Sequence, residues 1–191
     1  PRLSVNMPAM ARLFLGLDLP PGVDAHLELM SCGVPGARWE GRDKFHLTLL
    51  FLDEVDGGTQ RALVDALTGL VAPPFELTLK GIGVFPPRGD PTSLWAGVVD
   101  PGPVVALRHK VLARLRDLPI TRDPRKFVPH VTLARTSDSP VDAVVAYMSD
   151  HVLFRSETFR VEQLNLYSSV RTSKGSHYRI EAGFPLRAEA G

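Results

Sequence analysis

The residue pattern predicts an α+β fold, and three observations carry that prediction. Strand-like and helix-like segments are mixed along the chain without the strict strand–helix–strand rhythm of a doubly wound sheet. Its 17 prolines and 16 glycines cut it into many short elements joined by turns rather than a few long helices. It closes on two successive strand patterns around a polar turn, the mark of a terminal hairpin.

The elements follow in order. Residues 12–18 (RLFLGLD) read as a buried strand, closed by Pro20, Pro21 and Gly22. Residues 23–30 suit a short helix. Residues 45–52 alternate in part and are bounded by charges, as a strand would be. Residues 59–71 place Leu63, Ala66, Leu67 and Leu70 at helical spacing. Residues 75–85 form a strand, with Gly81 and Gly83 as bulge candidates. A Pro/Gly-rich loop at 86–91 leads into a strand at 94–99. Val104, Val105, Leu107, Val111, Leu112 and Leu115 mark an amphipathic helix. Residues 126–134 are a strand, 141–148 a helix, and 159–168 with 177–184 the terminal hairpin.

Composition narrows the function classes. The 191 residues are 44% hydrophobic and 23% charged, which is globular and fits neither disordered nor fibrous chains. The net charge of +1 gives no global pull on nucleic acid, so any polyanion must be held by a local patch. A short nucleic-acid end suits such a patch better than a long duplex. Cys32 is the single cysteine, which rules out an intrachain disulfide and points to a reducing cytoplasm. No apolar run approaches the roughly 20 residues of a membrane span. Residues 1–9 are unpatterned and read as a disordered or appended leader, leaving 10–191 as one domain.

One internal echo carries the chemistry. Residues 46–49 are His-Leu-Thr-Leu and residues 130–133 are His-Val-Thr-Leu. In an extended strand alternate side chains share a face. His46 and Thr48 therefore lie on one face, with Leu47 and Leu49 on the other, and His130 and Thr132 repeat the arrangement. A lone strand histidine is usually a packing residue; two copies of the same tetrapeptide are a pattern. Two imidazoles, each with an unperturbed pKa near 6.5, can act as complementary acid and base at neutral pH. The two threonine hydroxyls can donate to the oxygens on which charge builds in the transition state. Opening a cyclic phosphodiester needs this combination, with base and acid on opposite sides of one phosphorus.

These residues resemble a known family. Residues 12–20, Arg38-Trp39 with 45–49 and Phe51-Leu52, Phe85-Pro86 with 94–98, 127–135 (FVPHVTLAR), and 166–169 with Gly175 and Tyr178 are similar to the blocks of the two-histidine phosphoesterases. Within these, they resemble the bacterial and archaeal RNA 2′,3′-cyclic phosphodiesterases, also called 2′-5′ RNA ligases. The resemblance spans nearly all of the chain after Met10. It implies a bilobal α+β fold of two antiparallel sheets with flanking helices around a central cleft, related by a pseudo-two-fold axis. It implies hydrolysis of RNA 2′,3′-cyclic phosphate ends, or of cyclic mononucleotides, to 2′-phosphates, and a reversible 2′-5′ ligation in some members. No cofactor and no metal are expected, nor a membrane partner, and the working unit is a monomer. Leu50 and Asp53 depart from the family pattern, which usually has a basic residue and a glycine there.

Around the repeat, the resemblance gives Arg135 a phosphate contact, although strict alternation points it away from Thr132. Phe51 and Tyr167 are candidates for a base or ribose contact; the aliphatic neighbours of Phe51 favour a core position, and Trp39 is similar. Arg122, Arg125 and Lys126 could funnel an RNA backbone or simply be solvated. His26, His109, His151 and His177 lie outside the repeat and read as surface or packing residues, and Cys32 as inert. A zinc hydrolase is disfavoured, because each strand offers one nitrogen and there is neither HExxH nor a cysteine pair. A serine esterase is disfavoured by the lack of a G-x-S-x-G elbow. Two alternatives stay open: a non-catalytic module that binds RNA ends, and the same fold acting on another cyclic phosphate or on 2′-5′ oligonucleotides.

Overall fold

The computed structural model describes residues 10–120, 126–172 and 175–188. The leader at 1–9 lies outside the described residues, as do Arg122 and Arg125. The order of elements is β1 (Met10–Asp18), α1 (Pro21–Met30), β2 (Arg38–Trp39), a 3-10 turn (Arg42–Lys44), β3 (His46–Asp56) and α2 (Gly57–Leu67). There follow β4 (Phe75–Leu77), β5 (Leu79–Phe85), β6 (Ser93–Val98), α3 (Gly102–Arg114) and β7 (Val131–Arg135). The chain closes with α4 (Val141–Asp150), β8 (Phe159–Val161), β9 (Gln163–Thr172) and β10 (Gly175–Pro185).

Strand pairing divides the main sheet into two antiparallel halves of four strands. One runs β10-β9-β1-β3; the other runs β7-β6-β5, with β2 on the outer end of β7. The halves meet at one residue pair, Leu47 with Val131. The two sheets expected from the resemblance are thus fused at a point into one eight-stranded sheet, beside a separate two-stranded ribbon of β4 and β8. Beyond Leu47–Val131 the motif strands diverge, and β2 takes the vacated edge of β7 by pairing Arg38 with Arg135 and Trp39 with Ala134.

One core lies beneath both halves. Leu13, Leu15, Leu17, Leu47, Leu49, Val131 and Leu133 are all at most 2% exposed. They share a cluster with the inner faces of α1 (Val23, Leu27, Met30), α2 (Leu63, Leu67), α3 (Val104, Leu107, Val111) and α4 (Val144, Tyr147). Each such aliphatic side chain contributes ~1.5–3 kcal/mol of burial. A one-residue slip of β3 would put His46 and Thr48 into that core, so burial fixes the register and thereby the site.

Several boundaries differ from the sequence expectation for physical reasons. Helix α2 starts at Gly57 because the Asp56 carboxylate accepts the Thr59 N–H at 2.8 Å, a side-chain N-cap. The strand expected at 75–85 is split at Thr78, whose hydroxyl bonds Thr158; the first part pairs with β8 and the second with β6. Its bulge falls between Leu79 and Ile82, where Gly81 has φ +72°. The expected hairpin strand at 159–168 is likewise divided, 159–161 leaving to join β4. Strand β7 begins only at Val131: Pro129 has no N–H for a ladder, and the carbonyl of Val128 is taken by a histidine ring. Among the described residues no helix is long and apolar enough to cross a membrane.

Candidate functional site

The Leu47–Val131 pair is the hinge of the site. Both side chains point into the core, so the residues on either side of them point the other way. In antiparallel register this sets His46 on the side of Thr132 and Thr48 on the side of His130. Two His–Thr pairs are thereby brought head to tail around a local two-fold axis.

The imidazoles are held identically. The Nδ1–H of His46 donates to the carbonyl oxygen of Lys44 at 2.7 Å, and that of His130 to the carbonyl oxygen of Val128, also at 2.7 Å. Each bond reaches back two residues and fixes the tautomer, leaving Nε2 as the ring nitrogen open to a second partner. The Nε2 of His46 lies 2.8 Å from Thr48 Oγ1. Aromatic rings flank both histidines. Phe14 and Tyr178 lie 4.8 and 5.2 Å from the His46 ring, and Phe85 and Trp95 lie 5.0 and 5.8 Å from His130. Gly16, opposite Thr48 on β1, leaves space for this packing: a Cβ there would stand 3.3 Å from the Tyr167 ring and 3.4 Å from that of His46.

The electrostatic settings of the two histidines differ. Burial is the main cause holding both below the ordinary imidazole pKa. For His46, the bond to the Lys44 carbonyl and the charge of Asp18 oppose that shift, while a charge on His130 adds to it. For His130, the bond to the Val128 carbonyl opposes it, and the Arg135 guanidinium adds to it. His46 thus faces a carboxylate and His130 a cation. Asp18 is the register partner of His46 across β1 and β3. It accepts the Tyr167 hydroxyl in a short hydrogen bond and the Asn165 amide at 2.7 Å.

A cleft of about 270 Å³ opens above the repeat. His46, Thr48, Thr132, Arg135 and Phe51 all line it, with Tyr178, Arg12 and Asp53, whereas His130, packed against Phe85 and Trp95, is not among its lining residues. Arg135 reaches the same side as Thr132 because β7 bulges. Trp95 pairs with Thr132 but Leu94 with Ala134, so Leu133 has no opposite residue and the alternation shifts by one. β3 has the same device at Leu49, after which Phe51 turns outward and is 54% exposed. Phe51 and Arg135, each three residues beyond a motif threonine, occupy equivalent places in the two halves. The core position favoured for Phe51 by its aliphatic neighbours is corrected by that bulge. Tyr167 is different: it is buried, stacks on Phe14 and holds Asp18, so it stands behind His46 and is not exposed to a ligand's base.

Trp39 packs on Tyr147 away from the cleft. Of the remaining histidines, His26 abuts Phe154 and His151 bonds the Tyr147 carbonyl. Among the described residues, no group of three or more His, Cys, Asp or Glu side chains is placed to hold a metal ion. Asp18 and the polar chain behind it carry no signal in the sequence, since only strand pairing brings residues 18, 46 and 167 together.

Comparison with known proteins gives the chain its relatives. Residues 20–172 match the model of the 2′-5′ RNA ligase superfamily. The chain is 28% identical over 174 residues to an RNA 2′,3′-cyclic phosphodiesterase of Archaeoglobus fulgidus, covering 88% of this chain and 96% of that protein. It is 30% identical over 176 residues to one of Thermotoga maritima, covering 88% and 92% respectively. Among solved structures it is similar to the TT0787 protein of Thermus thermophilus, with a TM-score of 0.79 at 29% identity, covering 94% of this chain and all of that one.

Proposed function

Because this chain belongs to the 2′-5′ RNA ligase superfamily, we propose that it hydrolyses RNA 2′,3′-cyclic phosphate ends to 2′-phosphates, using His46 and His130 as acid and base. Relatives named RNA 2′,3′-cyclic phosphodiesterase, matched over nearly their whole length, support the activity. The observation that carries the site assignment is the pairing of two His–Thr motifs around Leu47–Val131, each imidazole held by the same Nδ1–H bond to a carbonyl two residues back.

The reaction follows from the electrostatic asymmetry. His130, beside Arg135, stays neutral, and its Nε2 takes a proton from the attacking water. His46 acts in its protonated form, which burial disfavours and Asp18 behind it favours. With substrate seated, its Nε2–H passes from Thr48 Oγ1 to O3′ and protonates it as the P–O3′ bond breaks. Thr48 is then released to donate to a non-bridging oxygen, with Thr132 opposite and Arg135 supplying the positive charge. The product is a 2′-phosphomonoester with a free 3′-hydroxyl. His130 leaves with the proton His46 has lost, and exchange with solvent resets the pair. Phe51 offers its exposed face to a base or ribose. A 5′-hydroxyl attacking the phosphorus in place of water, with O3′ leaving as before, would give a 2′-5′ linkage. The working unit in this reading is a single chain in the reducing cytoplasm.

The test is turnover of a 2′,3′-cyclic mononucleotide by the native chain and by His46→Gln and His130→Gln. Loss of turnover in both supports the reading; full activity in either overturns it. A non-catalytic module for RNA ends would bind the cyclic nucleotide without converting it. A cyclic analogue with sulfur at the 3′ position has a better leaving group and needs less acid, so it should rescue His46→Gln selectively. Selective rescue of His130→Gln would reverse the roles.

A further inference from the structure

Among the described residues, Asp53 is the one non-glycine residue with positive φ, at +53°. It sits where β1 and β3 slip register, Leu13 pairing with Asp53 and Phe14 with Phe51. A left-handed bulge position of this kind is ordinarily filled by glycine, which adopts it without steric cost. An aspartate held there is a local outlier, and such outliers gather at functional sites. Asp53 lines the cleft two residues beyond the exposed Phe51, and its carboxylate has no hydrogen-bond or ion-pair partner among the described residues. Arg12 lines the same end of the cleft, its guanidinium only loosely engaged, 4.0 Å from Glu54.

We propose that Asp53 and Arg12 select guanine in the nucleoside that carries the cyclic phosphate; this rests on the reading of the cleft given above. The chemistry singles out one base. A carboxylate accepts from two adjacent N–H donors, and among the four RNA bases guanine presents such a pair, N1–H and the N2 amino group. A guanidinium donates to O6 and N7, the acceptors on another edge of the same base. Stacking on Phe51 holds the plane between them. Adenine and cytosine offer the carboxylate one amino group beside an unprotonated ring nitrogen that repels it, and uracil a single N–H. The negative charge of Asp53 also keeps phosphate at the other end of the cleft, with Thr132 and Arg135.

The experiment measures kcat/KM for guanosine and adenosine 2′,3′-cyclic phosphates, and Kd for the matching 2′-monophosphates, with the native chain, Asp53→Gly and Asp53→Asn. The native chain should favour guanosine by at least ~5-fold, the lower end for one bidentate contact. Both variants should bring the ratio toward one. The Tm of Asp53→Gly should be equal to or above that of the native chain, which shows that the loss is not misfolding. A native ratio near one, or a ratio retained in both variants, overturns the proposal. The Kd arm needs no turnover. A guanosine preference in binding with no hydrolysis would refute the activity and keep this inference, whereas equal use of all bases would do the reverse.

Discussion

Replacing Asp18 by asparagine tests the acid–base assignment without touching either histidine. Asp18 lies opposite His46 in the β1–β3 register, so its carboxylate stands ~6 Å from the imidazole, a little beyond the usual cross-strand spacing. Asp18 is exposed while His46 is half-buried, so the medium between them is partly hydrated. At an effective dielectric of ~40–80, the attraction is about 1 kcal/mol. Losing it reduces the protonated fraction of His46 about fivefold wherever that histidine is mostly neutral. On the alkaline side of the kcat/KM profile, where the acid is the scarce form, Asp18→Asn should therefore be about fivefold slower. On the acidic side it should match the native chain, because His46 is protonated in both. Tyr167→Phe removes a hydrogen bond to Asp18 but keeps its charge, so it should not reproduce the alkaline loss. The assay is a pH series of initial rates on a cyclic mononucleotide. A uniform loss at all pH values would mean that Asp18 only braces the strand, and a gain confined to the acidic side would make His46 the base. Both limbs belong to the pair as a whole, so the comparison is between profiles and not between single-residue values.

Alanine at His46 or His130 should each lower kcat by at least ~10²-fold, and the double variant should fall far short of the product of the two losses, because they act as a unit. Single-turnover rates measure both, and a multiplicative double variant would contradict a shared step. Thr48→Ala and Thr132→Ala should each cost up to the ~10²–10³-fold of a lost oxyanion donor, mainly in kcat, with KM read from the same curves. Stability should also depend on pH. Both histidines are held below their ordinary pKa, so the unfolded chain takes up protons first as pH falls. Their contribution is complete above pH ~6.5, the unfolded value, and is lost as pH drops toward the lower folded values. Thermal melts from pH 7.5 down to pH 5 should show a falling Tm, with a shallower fall in His130→Gln; a Tm that rises over that range would refute the burial argument.

The repeat was legible because period-two alternation is a property of the chain itself: Leu47, Leu49, Val131 and Leu133 announce a buried face, and His46, Thr48, His130 and Thr132 share the other. The helices were legible for the same reason, from the spacing of residues such as Leu63 and Leu67. Alternation fails where a strand bulges, and the sequence does not mark the extra residue. Arg135 therefore read as pointing away from Thr132, and Phe51 as core, although bulges at Leu133 and Leu49 turn both into the cleft. Tyr167 read as a ligand contact because nothing local shows that Phe14 covers it. Asp18 went unread because its meaning comes from residues 28 and 149 positions away. What strand pairing alone creates, the linear pattern does not carry.

The central claim is a direction of bond cleavage by two imidazoles, and phosphorus NMR of the product tests it most directly. A 2′,3′-cyclic mononucleotide is incubated with the chain in excess chelator and the phosphorus resonances are followed to completion. The account expects full conversion to the 2′-monophosphate alone, at a rate unchanged by the chelator. Accumulation of the 3′-monophosphate, or activity that vanishes with the chelator and returns with a divalent metal, would contradict it.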